Sequence, residues 1–561
     1  MLRTLLALLL RPPLVGLSWL ITAWLRWRVG AYGMLELRLD DQIRLPHLAA
    51  GEVERACRAS GARGLLLELG PLGWGWGALD EWRLMLLRLR QDGILLIAKA
   101  DGLDNRQLYL ASACDRVVVS PPGEVSAVGV SAHSTFFGVA LERLGLRFDV
   151  EAAGAYKSFG ETFTRRGPSP ESREATVLLV DDLHEHLVAC VAEGRRLHPA
   201  QVQAIFDHAP MSAQEAKDAG LIDEVGYDDA IDPLLESLLG EDYDRKDAGW
   251  AAWLSGWAQT LGDVLSAEPR VVVLHLEGGI TMGEESQSRG RIAPTELVPV
   301  LRALRDDDRV AAVVMCVNSP GGSALASDLI WREVELLHRQ RPVIALFGDV
   351  SASGGYYIAA GCDDIIATPS TLTGSIGVVG GKLVTGGALG GLGVYTSVYS
   401  RSQGAEIYST ERPFDVQERA RFRARLRSTY ALFLERVSAG RRRPVDQLEP
   451  YAQGRVWSGV SALRLGLVDG LGGIAQAMER ARFRAGLRPT EPLRRVDVVV
   501  RPPRPFYARF LPEGLLGRVD ATQQLTELAA LVGVRLPEAA LRVLRAPDEP
   551  LAVMPEEIDL R

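Results

Sequence analysis

This chain has little of what usually marks a protein's chemistry. Its 561 residues include five cysteines, an odd number that excludes a disulfide framework. Cys114, Cys316 and Cys362 lie in or beside apolar runs and read as small core residues. Of eight histidines, only His184-Glu-His186 suggests a metal pair. Residues two apart point to different helix faces, so that pair reads as solvated helix surface. No metal pair is read from these residues. Basic charge is not in surplus either: 63 Lys and Arg against 71 Asp and Glu leave a net −8. That balance gives no nucleic-acid surface, and Arg441-Arg-Arg443 reads as a solvated helix end.

Long uninterrupted hydrophobic runs are missing as well. The stretch Thr4–Leu25 is long enough for a bilayer of about 30 Å, but Arg11-Pro-Pro13 breaks it. No small-x-small cleavage pattern follows, so residues 1–29 read as an uncleaved membrane anchor. Arginines on both flanks leave its orientation unassigned.

What the chain does have is itself, twice. Tyr109-Leu-Ala-Ser-Ala-Cys-Asp115 recurs as Tyr357-Ile-Ala-Ala-Gly-Cys-Asp363, an offset of 248 residues. The same offset sets Val128-Gly-Val130 on Ile376-Gly-Val378, Gly145 on Gly393, and Gly70-Pro-Leu-Gly73 on Asn318-Ser-Pro-Gly321. Further on it slips by two, placing Gly220-Leu-Ile-Asp223 on Gly466-Leu-Val-Asp469. So regular a repeat means two copies of one domain. Within each, short apolar runs such as Leu65–Leu69 and Val313–Val317 alternate with helical stretches, which predicts an α/β fold with a parallel sheet. Ser169-Pro-Glu and Asp415-x-x-Glu418 start long helices, which are expected to end near Gly194 and Gly440. The boundaries predicted are an anchor at 1–29, a first copy at 30–232, a linker helix at 233–269, a second copy at 270–486 and an appendage at 487–561. In the linker, Trp250, Trp253 and Trp257 share one helical face and read as a docking stripe. The repeat is expected to end near Gly486.

The copies differ where chemistry would sit. Asn318-Ser-Pro-Gly-Gly322 leaves a buried strand as a turn rich in backbone N–H groups. Gly348-Asp-Val-Ser-Ala-Ser-Gly-Gly-Tyr-Tyr357 then places Ser353 before two glycines at a helix start, where the next N–H can serve an oxyanion. The first copy has Asn105 in that position. A serine needs a base. Lys157, in Gly154-Ala-Tyr-Lys-Ser158, faces Ala405 of the second copy, and burial can bring a lysine toward neutrality. One copy holds a candidate nucleophile and the other a candidate base.

These motifs, with Leu372-Thr-Gly-Ser-Ile-Gly377 and Gly454-Arg-Val-Trp-Ser458, resemble the long, duplicated form of the signal peptide peptidase A (protease IV) family over Met34 to Gly486. The resemblance implies two tandem crotonase/ClpP-like domains and a Ser/Lys dyad with Ser353 as nucleophile and Lys157 as general base. It implies that Ser375 hydrogen-bonds the lysine and that Gly322 and Gly354 donate to the oxyanion. It further implies peptide substrates, notably remnant signal peptides, a closed homo-oligomer such as a tetramer, and no metal or cofactor. The expected location is the bacterial inner membrane, with the bulk on the periplasmic side. Two other readings compete: a crotonase-like acyl-CoA hydratase or hydrolase, and a non-catalytic membrane scaffold. Trp74-Gly-Trp76 has no assigned role.

Overall fold

A computed structural model describes residues 2–29, 33–43, 45–240, 243–263, 268–283, 290–402, 404–491, 493–499, 551–553 and 559–560. In the first copy, six strands form one parallel sheet. They are β1 (Gly33–Leu39), β2 (Gly64–Leu69), β3 (Leu95–Ala100), β4 (Arg116–Val119), β7 (Glu224–Val225) and β8 (Asp244–Asp247), ordered β8-β1-β2-β3-β4-β7. Two further strands, β5 (Ala132–His133) and β6 (Arg147–Ala153), leave that sheet.

The second copy repeats the arrangement. Its strands β9 (Arg270–Glu277), β10 (Val310–Ser319), β12 (Val343–Ala352), β13 (Asp364–Ala367), β17 (Gly470–Leu471) and β18 (Arg494–Val499) are parallel neighbours in the order β18-β9-β10-β12-β13-β17. Strand for strand this is the first sheet, and it carries the repeat past Gly486 to Val499. The sequence hides that last match because Asp244-Arg-Lys-Asp247 is a charged edge strand with no apolar pattern to compare. The segment read as a linker therefore completes the first sheet before it enters α5 (Ala248–Asp263). Central strands are continuous apolar runs because helices cover both faces of a parallel sheet.

Four shorter strands finish the second copy's framework: β11 (Gly321–Ser323), β14 (Leu372–Gly374), β15 (Val378–Val384) and β16 (Val456–Ser458). Two more come from the chain end, β19 (Leu551–Val553) and β20 (Asp559–Leu560). Most of the segment 487–561 lies outside the described residues.

The helices that matter are α1 (Leu2–Val29), α2 (Trp76–Gln91), α3 (Asn105–Ala111), α4 (Pro170–Arg195), α6 (Gly354–Ala359) and α7 (Val416–Arg441). Helices α4 and α7 begin where their caps predict: Ser169 and Asp415 accept from the N–H of Ser172 and Glu418. They end near Gly194 and Gly440, as expected. Both run one residue further, and Arg196 and Arg442 take the left-handed cap. The glycines have another task, since a Cβ at either would collide with the carbonyl of Ser112 or Ala360. They let each long helix press on the turn after the helix it crosses.

Helix α5 also docks differently from the expectation. Its buried face is Ala248, Ala251, Ser255 and Ala258, small residues that allow close approach, while Trp253 is 61% exposed. Trp250 meets Trp24 of α1 edge to face at 5.6 Å, and Ser18 donates to the Ala258 carbonyl. The side chain of Trp257 lies outside the described residues. No described helix is long and apolar enough to cross a membrane.

Candidate active site

An antiparallel ladder joins the two copies. Strand β6 of the first lies on β15 of the second from Ala153↔Val378 to Arg147↔Val384. Ion pairs lock it: Asp149 with Arg419 at 2.8 Å, Glu151 with Arg423 at 2.6 Å, both arginines on α7. Asp149 also accepts from the Phe414 N–H at 2.7 Å. Lys157 follows the end of β6 and Ser375 precedes β15, so the ladder delivers the two to the same place.

There the lysine finds its partners. Lys157 Nζ lies 2.8 Å from Ser353 Oγ, 2.9 Å from Ser375 Oγ and 2.9 Å from the Ser375 carbonyl. Lys157 is 4% exposed, and both serines are fully buried. Burial alone pulls the lysine's pKa well below its ordinary value of 10.5, with no acid offsetting it. A deprotonated amine has two N–H donors and one lone pair. With the Ser375 carbonyl and Ser375 Oγ as acceptors, such an amine can turn its lone pair to the Ser353 hydroxyl.

The local backbone requires the glycines around this lysine. A Cβ on Gly454 would sit 2.6 Å from Lys157 Cβ, and one on Gly154 would meet Gln453. Tyr156 donates to the Gln453 carbonyl at 2.8 Å, and Gly454 to that of Ile376 at 2.8 Å. Hence Gly154-Ala-Tyr-Lys157 and the Gly454 turn are one interlocked unit.

Ser353 follows β12 and is the N-cap residue of α6, with φ 55° and ψ −113°, a strained conformation for a residue other than glycine. Its N–H donates to the Gly374 carbonyl at 2.8 Å. Gly354 and Gly322 come together beside it: a Cβ on Gly354 would lie 3.2 Å from the Gly322 nitrogen. Gly322 has φ +155°, and a Cβ there would collide with the Ile280 carbonyl. Ser351 points elsewhere and donates to the Val317 carbonyl in the core. Between β11 and β15 runs β19, antiparallel to both, with Ala552 opposite Gly322 and Leu551 opposite Val379.

The first copy's equivalent is closed. Asn105 opens α3 and is buried, its amide donating to the Gly129 carbonyl at 2.8 Å and accepting the Gly129 N–H at 3.0 Å. Sequence reasoning missed Asp349, four residues before Ser353. Its carboxylate accepts the Ala78 N–H at 2.7 Å and ties the nucleophile's strand to the start of α2. Trp74-Gly-Trp76 now has a role. The two indoles are buried against Trp82 and Tyr109, and a Cβ on Gly75 would strike the Asp349 carboxylate. Nothing in the pattern around Asp149 or Asp349 could have announced these contacts.

The histidine pair is not solvated surface. His184 faces Gln203 at 2.7 Å, whereas His186 joins buried Asp80 and Tyr109. Burial works against charge on His186, but Asp80 and Cys190 beside it hold its pKa up at about 10. Asp80 accepts the Ser370 N–H at 2.8 Å, making this a second seam between the copies. The five cysteines are free.

Known proteins resemble this chain in sequence. The family model described as peptidase family S49 matches twice, at residues 88–239 and 335–488. "Serine protease SPPA, chloroplastic" of Arabidopsis thaliana is 31% identical over 91% of this chain and 78% of its own. "Protease 4" of Salmonella typhi is 30% identical over 72% and 66%, and that of Haemophilus influenzae 30% over 75% and 69%. The acyl-CoA and scaffold readings give way to these relatives. Matched twice by one peptidase model and similar to proteases over most of its length, the chain belongs to peptidase family S49 and is a serine-type peptidase.

Proposed function

We propose that this chain is a membrane-bound endopeptidase that degrades cleaved signal peptides and other short or unfolded peptides through a Ser353/Lys157 dyad. The observation that carries the dyad is the buried Lys157 amine, 2.8 Å from the Ser353 hydroxyl and held well below its ordinary pKa. Lys157 takes the serine proton, and the alkoxide attacks the scissile carbonyl. The N–H groups of Gly322 and Gly354 hold the oxyanion. The lysine then returns its proton to the leaving amine and activates the water that clears the acyl-enzyme. Ser375 keeps the amine aimed. The architecture assigned is two crotonase/ClpP-like copies, and the assembly a closed homo-oligomer.

Two features support the substrate and the location. The slot between β11 and β15 accommodates an extended backbone, since the chain's own Leu551–Val553 lies there as a strand. Helix α1 supports membrane attachment. Opposite its docked Ser18, Leu25 and Val29, it exposes Leu17, Leu20 and Trp27 in one stripe, with Arg26 and Arg28 alongside. We place the protein on the bacterial inner membrane, held by residues 1–29, with its bulk on the periplasmic side. Labelling by a fluorophosphonate, compared across wild type, Ser353→Ala and Lys157→Ala, tests the dyad. Both variants are expected to lose labelling while remaining folded, and a labelled Ser353→Ala protein would refute it.

A further inference from the structure

In the motif Gly454-Arg-Val-Trp-Ser458 the glycine makes room for Lys157, and the arginine grips the residue beside it. Arg455 is 8% exposed, an uncommon burial for an arginine. Its guanidinium lies over two rings, 4.3 Å from the centre of Trp457 and 4.8 Å from that of Tyr156. Tyr156 directly precedes Lys157. The guanidinium donates to Glu174 of α4 at 2.8 Å, and the Tyr156 hydroxyl donates to the same carboxylate at 3.2 Å. Glu174 is half exposed, so the ion pair by itself holds little. A guanidinium shielded from water over two aromatic rings is held more firmly. Trp457 is fixed in turn, its indole donating to the Tyr451 carbonyl at 2.8 Å.

The backbone of Arg455 reaches the other side of the amine. Its carbonyl accepts the Ser375 N–H at 2.6 Å, and Ser375 places two oxygens 2.9 Å from Lys157 Nζ. Ser375 needs that tether, because its φ of 49° lies in the left-handed region that a serine seldom adopts. Strand β16 continues the hold, with Val456 opposite Gly374 and Trp457 opposite Thr373. One residue thus fastens the segment that carries the lysine, from the first copy, and the serine that aims it, from the second.

The duplication provides a comparison inside the chain. Ser212 and Ser458 cap equivalent short helices, 246 residues apart, and at that offset Arg455 faces Ala209 and Trp457 faces Met211. The caps Ser169 and Asp415 give the same offset and set Glu174 on Ala420. Tyr156 faces Gly404 at the offset that puts Lys157 against Ala405. Arg, Trp, Glu and Tyr give way to Ala, Met, Ala and Gly. The cluster accompanies the lysine and not the fold of the domain.

We propose that Arg455 is a positioning residue for the dyad, one that holds the Tyr156–Lys157 segment against Ser375 so that the amine stays shut away from water. The proposal rests on Lys157 as the general base. Without the guanidinium, Tyr156 loses its stacking partner, and the gap left among polar groups admits water. The amine then gains hydration, which favours its protonated form and takes the base out of action at neutral pH.

The test follows the rate of fluorophosphonate labelling of the full-length protein from pH 5 to pH 10. Arg455→Ala should move the acid limb of the profile upward by about one pH unit or more, roughly a tenfold loss at neutral pH, with labelling recovering toward pH 10. Arg455→Lys keeps the charge but has no plane to lay over the rings, so its limb should move as well. Tyr156→Phe keeps the ring and should leave the limb in place. An unmoved limb in Arg455→Ala, however far its plateau falls, would overturn the proposal. So would a wild-type profile in Arg455→Lys, which also serves if the alanine variant does not fold. A second measurement needs no catalysis. Urea unfolding of Arg455→Ala with and without Lys157→Met should show a smaller advantage for methionine at acid pH than the same exchange in the wild type. An undiminished advantage would overturn the hold of Arg455 on the amine. A wild type that never labels would sink the dyad, and the unfolding comparison would still read that hold.

Discussion

Replacing Lys157 by methionine should destroy activity and at the same time make the protein more stable in acid. The amine is buried among neutral oxygens, and burial is the only influence on its pKa. In the unfolded chain the same amine titrates near 10.4. Between its depressed folded pKa and about 10.4 the unfolded state therefore binds one more proton, so stability rises with pH across that window. Above it the penalty vanishes, and below the folded pKa it is complete. Each unit of depression is worth about 1.4 kcal/mol. Methionine keeps the length of the side chain and removes the charge, but it leaves Ser375 and Ser353 without their amine partner at a cost of about 1–3 kcal/mol. The assay is urea unfolding of both proteins from pH 5 to pH 10. The difference in stability should favour Lys157→Met most at the acid end and shrink toward the alkaline end. Fluorophosphonate labelling should drop by roughly 10⁴-fold or more, the scale of losing a member of a catalytic unit. Parallel stability curves would refute the reasoning, because the amine would then keep its proton in the folded state.

Three other outcomes follow from the same geometry. Ser375→Ala removes one of two acceptors and leaves the carbonyl, so kcat should fall roughly 10- to 100-fold, for about 1.4–2.8 kcal/mol, with KM little changed; a loss as deep as that of Lys157→Ala would give Ser375 a larger part. Arg419→Asp should depress labelling by freeing β6, and adding Asp149→Arg should restore much of it; a double variant no better than the single would show that the pair does not position Lys157. A chain beginning at Gly30 should leave the membrane fraction and still label Ser353; if it stays with the membrane after an alkaline wash, the Trp253 face of α5 becomes the anchor.

The sequence by itself determined the duplication, the α/β alternation, the helix caps and the division of Ser353 and Lys157 between the copies. All of these are local patterns: burial periodicity, capping residues and the absence of a lysine or serine at a matching position. Only the tertiary structure decided how the two halves of the site meet. The β6–β15 ladder joins residues more than two hundred positions apart in sequence, and its anchoring acids, Asp149 and Glu151, look like any solvated charges until α7 is laid across them. The same holds for Gly194 and Gly440, whose meaning lies in the carbonyl each helix touches and not in the helix end nearby. Strand β8 escaped notice because an edge strand needs backbone pairing, not apolar side chains, to belong to a sheet. Local chemistry is written in neighbouring residues. Contacts between distant segments depend on which surfaces fold against each other, and no spacing along the chain records that.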